Sequence, residues 1–258
     1  MARSSAYADP VPVAVPPRVA EWLAAAPDGP VHVLHACSEG AHLDVGGRAV
    51  GVLTTAAPGL PHAMRTHPGW VTTESTPTTY LEGGILHWGG RALVTLRIVD
   101  VRAPRLDAAR VLKASPAAAK GTPRPRGAGL VAPPAPVGTV TPSTVGDLVG
   151  RGDGLTPYGD DVLCGWLALH RACGVATSAV DDAVRRALPR TTTLSATLLE
   201  CALAGEVADA VGSYLRALAT PAEPTARAAL EAVGHSSGRG LAHGIDLARA
   251  DLAERVAA

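Results

Sequence analysis

The feature that most constrains the fold is a break in texture. Residues 114–142 read ASPAAAKGTPRPRGAGLVAPPAPVGTVTP, and their prolines and glycines interrupt every regular period. A stretch of this kind is a linker or a long excursion, and it is the natural place for a domain boundary. The chain reads differently on its two sides.

Before the break, short apolar runs alternate with polar residues. VHVLHA alternates from Val31, and HLDVGGRAVGVLTT reads as two strands around Gly46-Gly47. GGILHWGGRALVTLRIVDVRA repeats the scheme around Gly89-Gly90. RVAEWLAAA, from Arg18 to Ala26, is a short helix stopped by PDGP. The Pro- and Ala-rich residues 1–17 read as a disordered or extended tail.

After the break, the period becomes helical. Helices are expected over Asp160–Cys173, after Ser178, after Thr192 or Thr193, through GEVADAVGSYLRALA and PTARAALEAV, and from about Leu241 to Val256. The short connections predict antiparallel packing of neighbours. The expected class is α+β: an N-terminal antiparallel β-sheet or barrel-like domain (18–113), the linker (114–142), and a C-terminal α-helical bundle domain (143–258).

Formal net charge is zero and no basic stripe occurs, which gives nucleic-acid binding no electrostatic support. No run of about 18 apolar residues appears, so no membrane span is expected. The four cysteines have no CxxC spacing and are expected to be free thiols. Together with an N-terminus that lacks an apolar signal core, this predicts a soluble cytoplasmic protein.

Three helix starts are able to hold a small ligand. The first is GRGDGLTPYGDD, residues 150–161. Gly154, Leu155, Thr156 and Gly159 offer close backbone approach and a hydroxyl, next to the positive end of a helix. One aspartate suffices for a cap, with Asp160 as N-cap and Asp161 at the first position; the second is in excess. The next is PRTTTLSATLLECALAG, where Thr191, Thr192, Thr193 and Ser195 crowd a helix start beside Arg190 and suit an oxyanion or phosphate, although capping explains one of them. The last is GHSSGRGLAHG, in which Ser236, Ser237, Gly238 and Arg239 can bind a ligand and His235 can titrate near neutrality; a plain helix–helix turn is the simpler account.

Asp160, Asp161 and His235 are the candidate acid–base residues. No cofactor is expected. A divalent metal on Asp160 and Asp161 is an alternative, limited by the ~100° between successive side chains on a helix. His32, His35 and His42 cluster with Glu39 and Asp44, but HVLH on a regular strand sends its two histidines to opposite faces, a poor arrangement for one metal.

The order GLTPYGDDVLCG, TTTLSATLLECALAGE, GHSSGRGLAHG resembles the domain of unknown function 2877 family. The GLTP-x-GDD-x-L-x-G string is its most specific part. The resemblance extends from about Val31, where VHVLHACSEGAHLDV matches in texture, to Ala250. It implies similarity to the small subunit of oxamate carbamoyltransferase, which works with two unrelated subunits and interconverts oxalurate plus phosphate with oxamate plus carbamoyl phosphate. An acidic residue is expected shortly after GHSSG; Arg239-Gly240 stands there instead.

Three functions follow as expectations. The chain is a carbamoyl-transfer enzyme or subunit acting on a small amide or carboxylate with phosphate. Alternatively it is a stand-alone hydrolase, lyase or transferase using the paired aspartates. The third is a non-catalytic scaffolding or regulatory subunit. Partner subunits or a homo-oligomer accompany the first; nucleic acid and membrane are not expected partners.

Overall fold

The computed structural model describes residues 10–67, 78–113 and 138–257. Residues 1–9 of the expected tail and 114–137 of the expected linker lie outside these. The chain divides into two units, Met1–Val101 and Arg102–Ala258.

The first unit is a β-sheet wrapped nearly into a barrel. Its strands are β1 (Val11–Val15), β2 (Gly29–Pro30), β3 (His32–Cys37), β4 (Gly40–Val45), β5 (Arg48–Thr54), β6 (Ala63–Thr66), β7 (Thr79–Glu82), β8 (Ile85–Trp88) and β9 (Arg91–Ile98). Their order is β2-β7-β8-β9-β1-β6-β5-β4-β3. The two end strands, β2 and β3, are separated in sequence by Val31 alone, so the sheet must curl until its ends meet. Most pairings are antiparallel; β1–β9 and β5–β6 are parallel. Gly46-Gly47 and Gly89-Gly90 turn the expected hairpins, and Gly83-Gly84 turns a third between β7 and β8, each pair with both φ values positive.

β1 lies within the stretch read as a tail. It pairs on both sides and buries Val11, Val13 and Val15. The helix α1 (Pro17–Ala25), with Pro17 at its first position, packs Val19 and Leu23 into the same core as Leu43, Val52, Met64 and Trp88.

The expected opposite facing of His32 and His35 is corrected here. Against β4, His32 faces Asp44, Val33 faces Leu43, and His35 faces His42. Leu34 is therefore an extra residue, a β-bulge, and it puts both histidines on one face. On that side His42 Nδ1 and His62 Nε2 lie 3.2 Å apart. Burial pulls both imidazoles down, to about 4 for His42 and about 3 for His62. They form a neutral, hydrogen-bonded pair at physiological pH.

The second unit is helical: α2 (Ala108–Lys113), α3 (Val145–Leu148), α4 (Tyr158–Ala172), α5 (Ser178–Ala187), α6 (Thr193–Leu203), α7 (Asp209–Ala217), α8 (Glu223–Glu231) and α9 (Ser237–Ala257). Val111 and Val140, which flank the undescribed stretch, are both buried in its core. The central element is α4. It is buried on nearly every side, its polar Asp160, Asp161 and His170 included. No helix among the described residues is long and apolar enough to cross a membrane.

Glycines set the distance between α4 and α9. A Cβ on Gly165 of α4 would lie 2.1 Å from the Leu241 carbonyl oxygen, and one on Gly244 of α9 would lie 2.0 Å from that of Val162. Gly240, one turn before Gly244, faces the Asp161 side chain in the same way, with 2.7 Å to its Cβ. The spacing Gly240-x-x-x-Gly244 is that of a small-residue stripe, which lets two helix backbones touch.

Candidate functional site

The loop Val149–Pro157 delivers the chain into α4. The helix begins at Tyr158 with Pro157 as N-cap, two residues earlier than expected. Neither aspartate is therefore the cap. Asp160 and Asp161 both lie in the first turn, and they turn to different neighbours.

Asp160 is a clamp. It is 1% exposed, and three donors are aimed at it. Oδ1 accepts from the Gly150 N–H at 2.8 Å. Oδ2 accepts from the Thr191 hydroxyl at 2.5 Å and the Ser195 hydroxyl at 2.8 Å. One carboxylate thus joins the start of the glycine loop, the turn before α6, and α6 itself. Its acceptor capacity is spent on structure, which suits positioning rather than proton transfer. Asp160→Ala leaves a backbone N–H and two hydroxyls without their acceptor. At roughly 1–3 kcal/mol per unsatisfied buried group, softened by hydroxyl rotation, the expected loss is about 2–3 kcal/mol, read from urea denaturation.

Asp161 is the opposite case. It is 4% exposed, and its Oδ2 has no hydrogen-bond partner. Burial drives its pKa well above the ordinary carboxylate value; a hydrogen bond from Ser237 opposes this, and the charge of Asp160 adds to it. Ser237 and Thr156 share a 2.8 Å hydroxyl–hydroxyl bond, and both are partly exposed. A line of hydroxyls therefore leads from the buried carboxyl toward solvent. Beside it, the Tyr158 hydroxyl lies 3.1 Å from His243 Nδ1.

The other candidates separate into groups. Thr192 is the N-cap of α6: its hydroxyl oxygen accepts from the Ser195 N–H at 3.1 Å, and it donates to the Leu155 carbonyl at 2.6 Å, fastening the loop from its far side. Thr193 opens α6, and its carbonyl accepts from the Thr197 hydroxyl. Gly159 faces the Leu148 carbonyl and Gly238 that of Leu230, so both serve close packing, whereas the space around Gly154 is open. Ser236 lies one residue before α9, and its carbonyl accepts from the Gly240 N–H. The exposed Arg239 donates to the His235 carbonyl, and the exposed His235 ring makes no hydrogen bond or ion pair among the described residues. The structure brings together Thr156, Asp161 and Ser237; it does not tie His235 to them.

Both walls of this site lie in one recognisable stretch. Residues 148–249 match the family model described as oxamate carbamoyltransferase subunit AllH. The chain resembles that family over these residues, and the resemblance to the small subunit of oxamate carbamoyltransferase rests on them. The matched stretch runs from Leu148 to Arg249 and includes the Asp160 clamp, the Asp161 hydroxyl line and the close contact between α4 and α9. The N-terminal unit, where the resemblance was expected to begin near Val31, lies outside the match. No curated protein and no solved structure matches the chain.

The sequence did not single out Tyr158 as a site residue, and it did not show that Gly150 and Thr191 bind Asp160. Thr191 stood in the same threonine run as Thr192, and only the fold shows that it is the one bonded to Asp160. Among the described residues, no three His, Cys, Asp or Glu side chains gather as metal ligands. Asp160 and Asp161 diverge toward α6 and α9, and do not face one point.

Proposed function

We propose that the chain is a subunit of an oxamate carbamoyltransferase-like enzyme and that Asp161 is its acid–base group. The observation that carries this reading is the buried carboxyl of Asp161, with one oxygen unpartnered, at the head of the Ser237–Thr156 hydroxyl line. The family match over residues 148–249 supports the reaction class and the subunit role.

In the direction of phosphorolysis, an oxygen of hydrogen phosphate attacks the carbamoyl carbon of oxalurate. A carbon–oxygen bond forms, and the bond from that carbon to the oxamate nitrogen breaks. The leaving nitrogen needs a proton, and a carboxyl that burial favours in its neutral form is suited to give one. The proton lost by hydrogen phosphate returns to Asp161 through Ser237 and Thr156. The products are carbamoyl phosphate and oxamate, with charge conserved.

The assay supplies oxalurate with phosphate or arsenate and measures oxamate release, with and without candidate partner subunits. Turnover that depends on the anion and on Asp161 is expected. Absence of oxamate in every combination rules out the assignment.

A further inference from the structure

A second feature adjoins the Asp160 clamp. Gly146, Asp147, Val149, Gly150, Arg151 and Arg190 line an open cleft of about 540 Å³. Arg151 and Arg190 are far apart in sequence and adjacent here for a specific reason. Asp160 binds the Gly150 N–H, next to Arg151, and the Thr191 hydroxyl, next to Arg190. The two segments touch so closely that a Cβ on Gly150 would lie 2.5 Å from the Arg190 carbonyl oxygen. The buried carboxylate therefore fixes the spacing of two guanidinium-bearing backbones.

Neither guanidinium has a hydrogen bond or ion pair among the described residues. Four other arginines of this unit are matched to acids: Arg171 to Asp181, Arg227 to Asp246, Arg249 to Glu223, Arg255 to Asp251. Asp147 shares the cleft lining but bonds to neither arginine. Two unpaired forks beside one cleft form a receptor for a tetrahedral oxyanion, which can accept N–H donors from both sides at once.

We propose that the Arg151–Arg190 cleft binds phosphate, as the free anion or as the phosphoryl end of an acyl phosphate, and that Asp160 is the positioning residue for the pair. The choice of phosphate rests on the carbamoyl-transfer reading; the cleft and its charge do not.

The test is calorimetric titration of the full chain with inorganic phosphate, and in parallel with oxamate as a carboxylate probe. Wild type, Arg151→Gln, Arg190→Gln and the double variant are compared. Phosphate affinity is expected to fall at least tenfold in the double variant, with oxamate binding unchanged. The melting temperature without ligand should be the same in all four, because neither side chain holds a partner. Undetectable phosphate binding by wild type, or binding that survives in the double variant, overturns the proposal. So does loss of oxamate binding in place of phosphate binding. The oxalurate assay separates the two readings. If phosphate binding depends on the arginines but no oxamate forms, the cleft stands and the carbamoyl-transfer reading falls. Full turnover in the double variant sinks the cleft and leaves the reaction in place.

Discussion

Asp161→Asn is expected to make the protein more stable and to remove its turnover. The two effects share one cause. A carboxyl whose folded-state pKa lies above its unfolded value of about 3.9 holds its proton more tightly when folded. Its contribution to stability is full below the unfolded pKa and is lost as pH rises toward the folded one. Burial raises Asp161 in this way, so at neutral pH the residue is a cost to the fold. Asparagine keeps the shape and the acceptor for Ser237 but has no proton to lose. The melting temperature of the variant should exceed that of wild type by an amount that grows as pH rises above about 4. A relief of ~1 kcal/mol would move it by about 2–4 °C. Turnover of oxalurate should fall by roughly 10²–10⁴-fold, the usual worth of a positioned acid–base group. A variant that is less stable at neutral pH, or fully active, contradicts the role given to Asp161.

Gly165→Ala and Gly244→Ala should be among the most damaging single substitutions in the helical unit. In an exposed helix, glycine to alanine stabilises by roughly 1 kcal/mol. Here the added methyl meets a backbone carbonyl at 2.1 Å or 2.0 Å, and no rotamer can relieve that. α4 and α9 would have to separate along the seam that also seats Ser237 beside Asp161. The expected loss exceeds the usual overpacking cost of about 1–3 kcal/mol. Urea denaturation measures it, and the variants should also lose activity because the hydroxyl line is carried by the displaced helix. A stabilised Gly244→Ala protein would mean that the two backbones are not in contact.

The sequence showed more of the site's location than of its wiring. GLTPYGDD stood out for an aspartate that a cap does not need, and Asp161 is the residue with one oxygen left unpartnered. The helix start was misplaced because Pro157, with its fixed φ, is the N-cap and takes that role from Asp160. GHSSGRG reads as a turn because glycines disfavour helices, yet α9 begins at Ser237 and includes Gly238 and Gly240. Close packing against Leu230 and Asp161 outweighs that propensity. The Leu34 bulge has no signature in β3 alone, since it is defined by the register with β4. Arg190 stands out beside the threonine run, but it meets Arg151 through a carboxylate that belongs to neither segment, so no local pattern announces the pair.

The position of β1 bears on where this chain can be cut. A boundary placed after the proline-rich opening, at residue 17, would discard Val11–Val15 as leader. That strand is the middle member of the nine, joining β2-β7-β8-β9 to β6-β5-β4-β3. Its removal would leave two four-stranded halves, each with a newly bared hydrogen-bonding edge of the kind that recruits other chains.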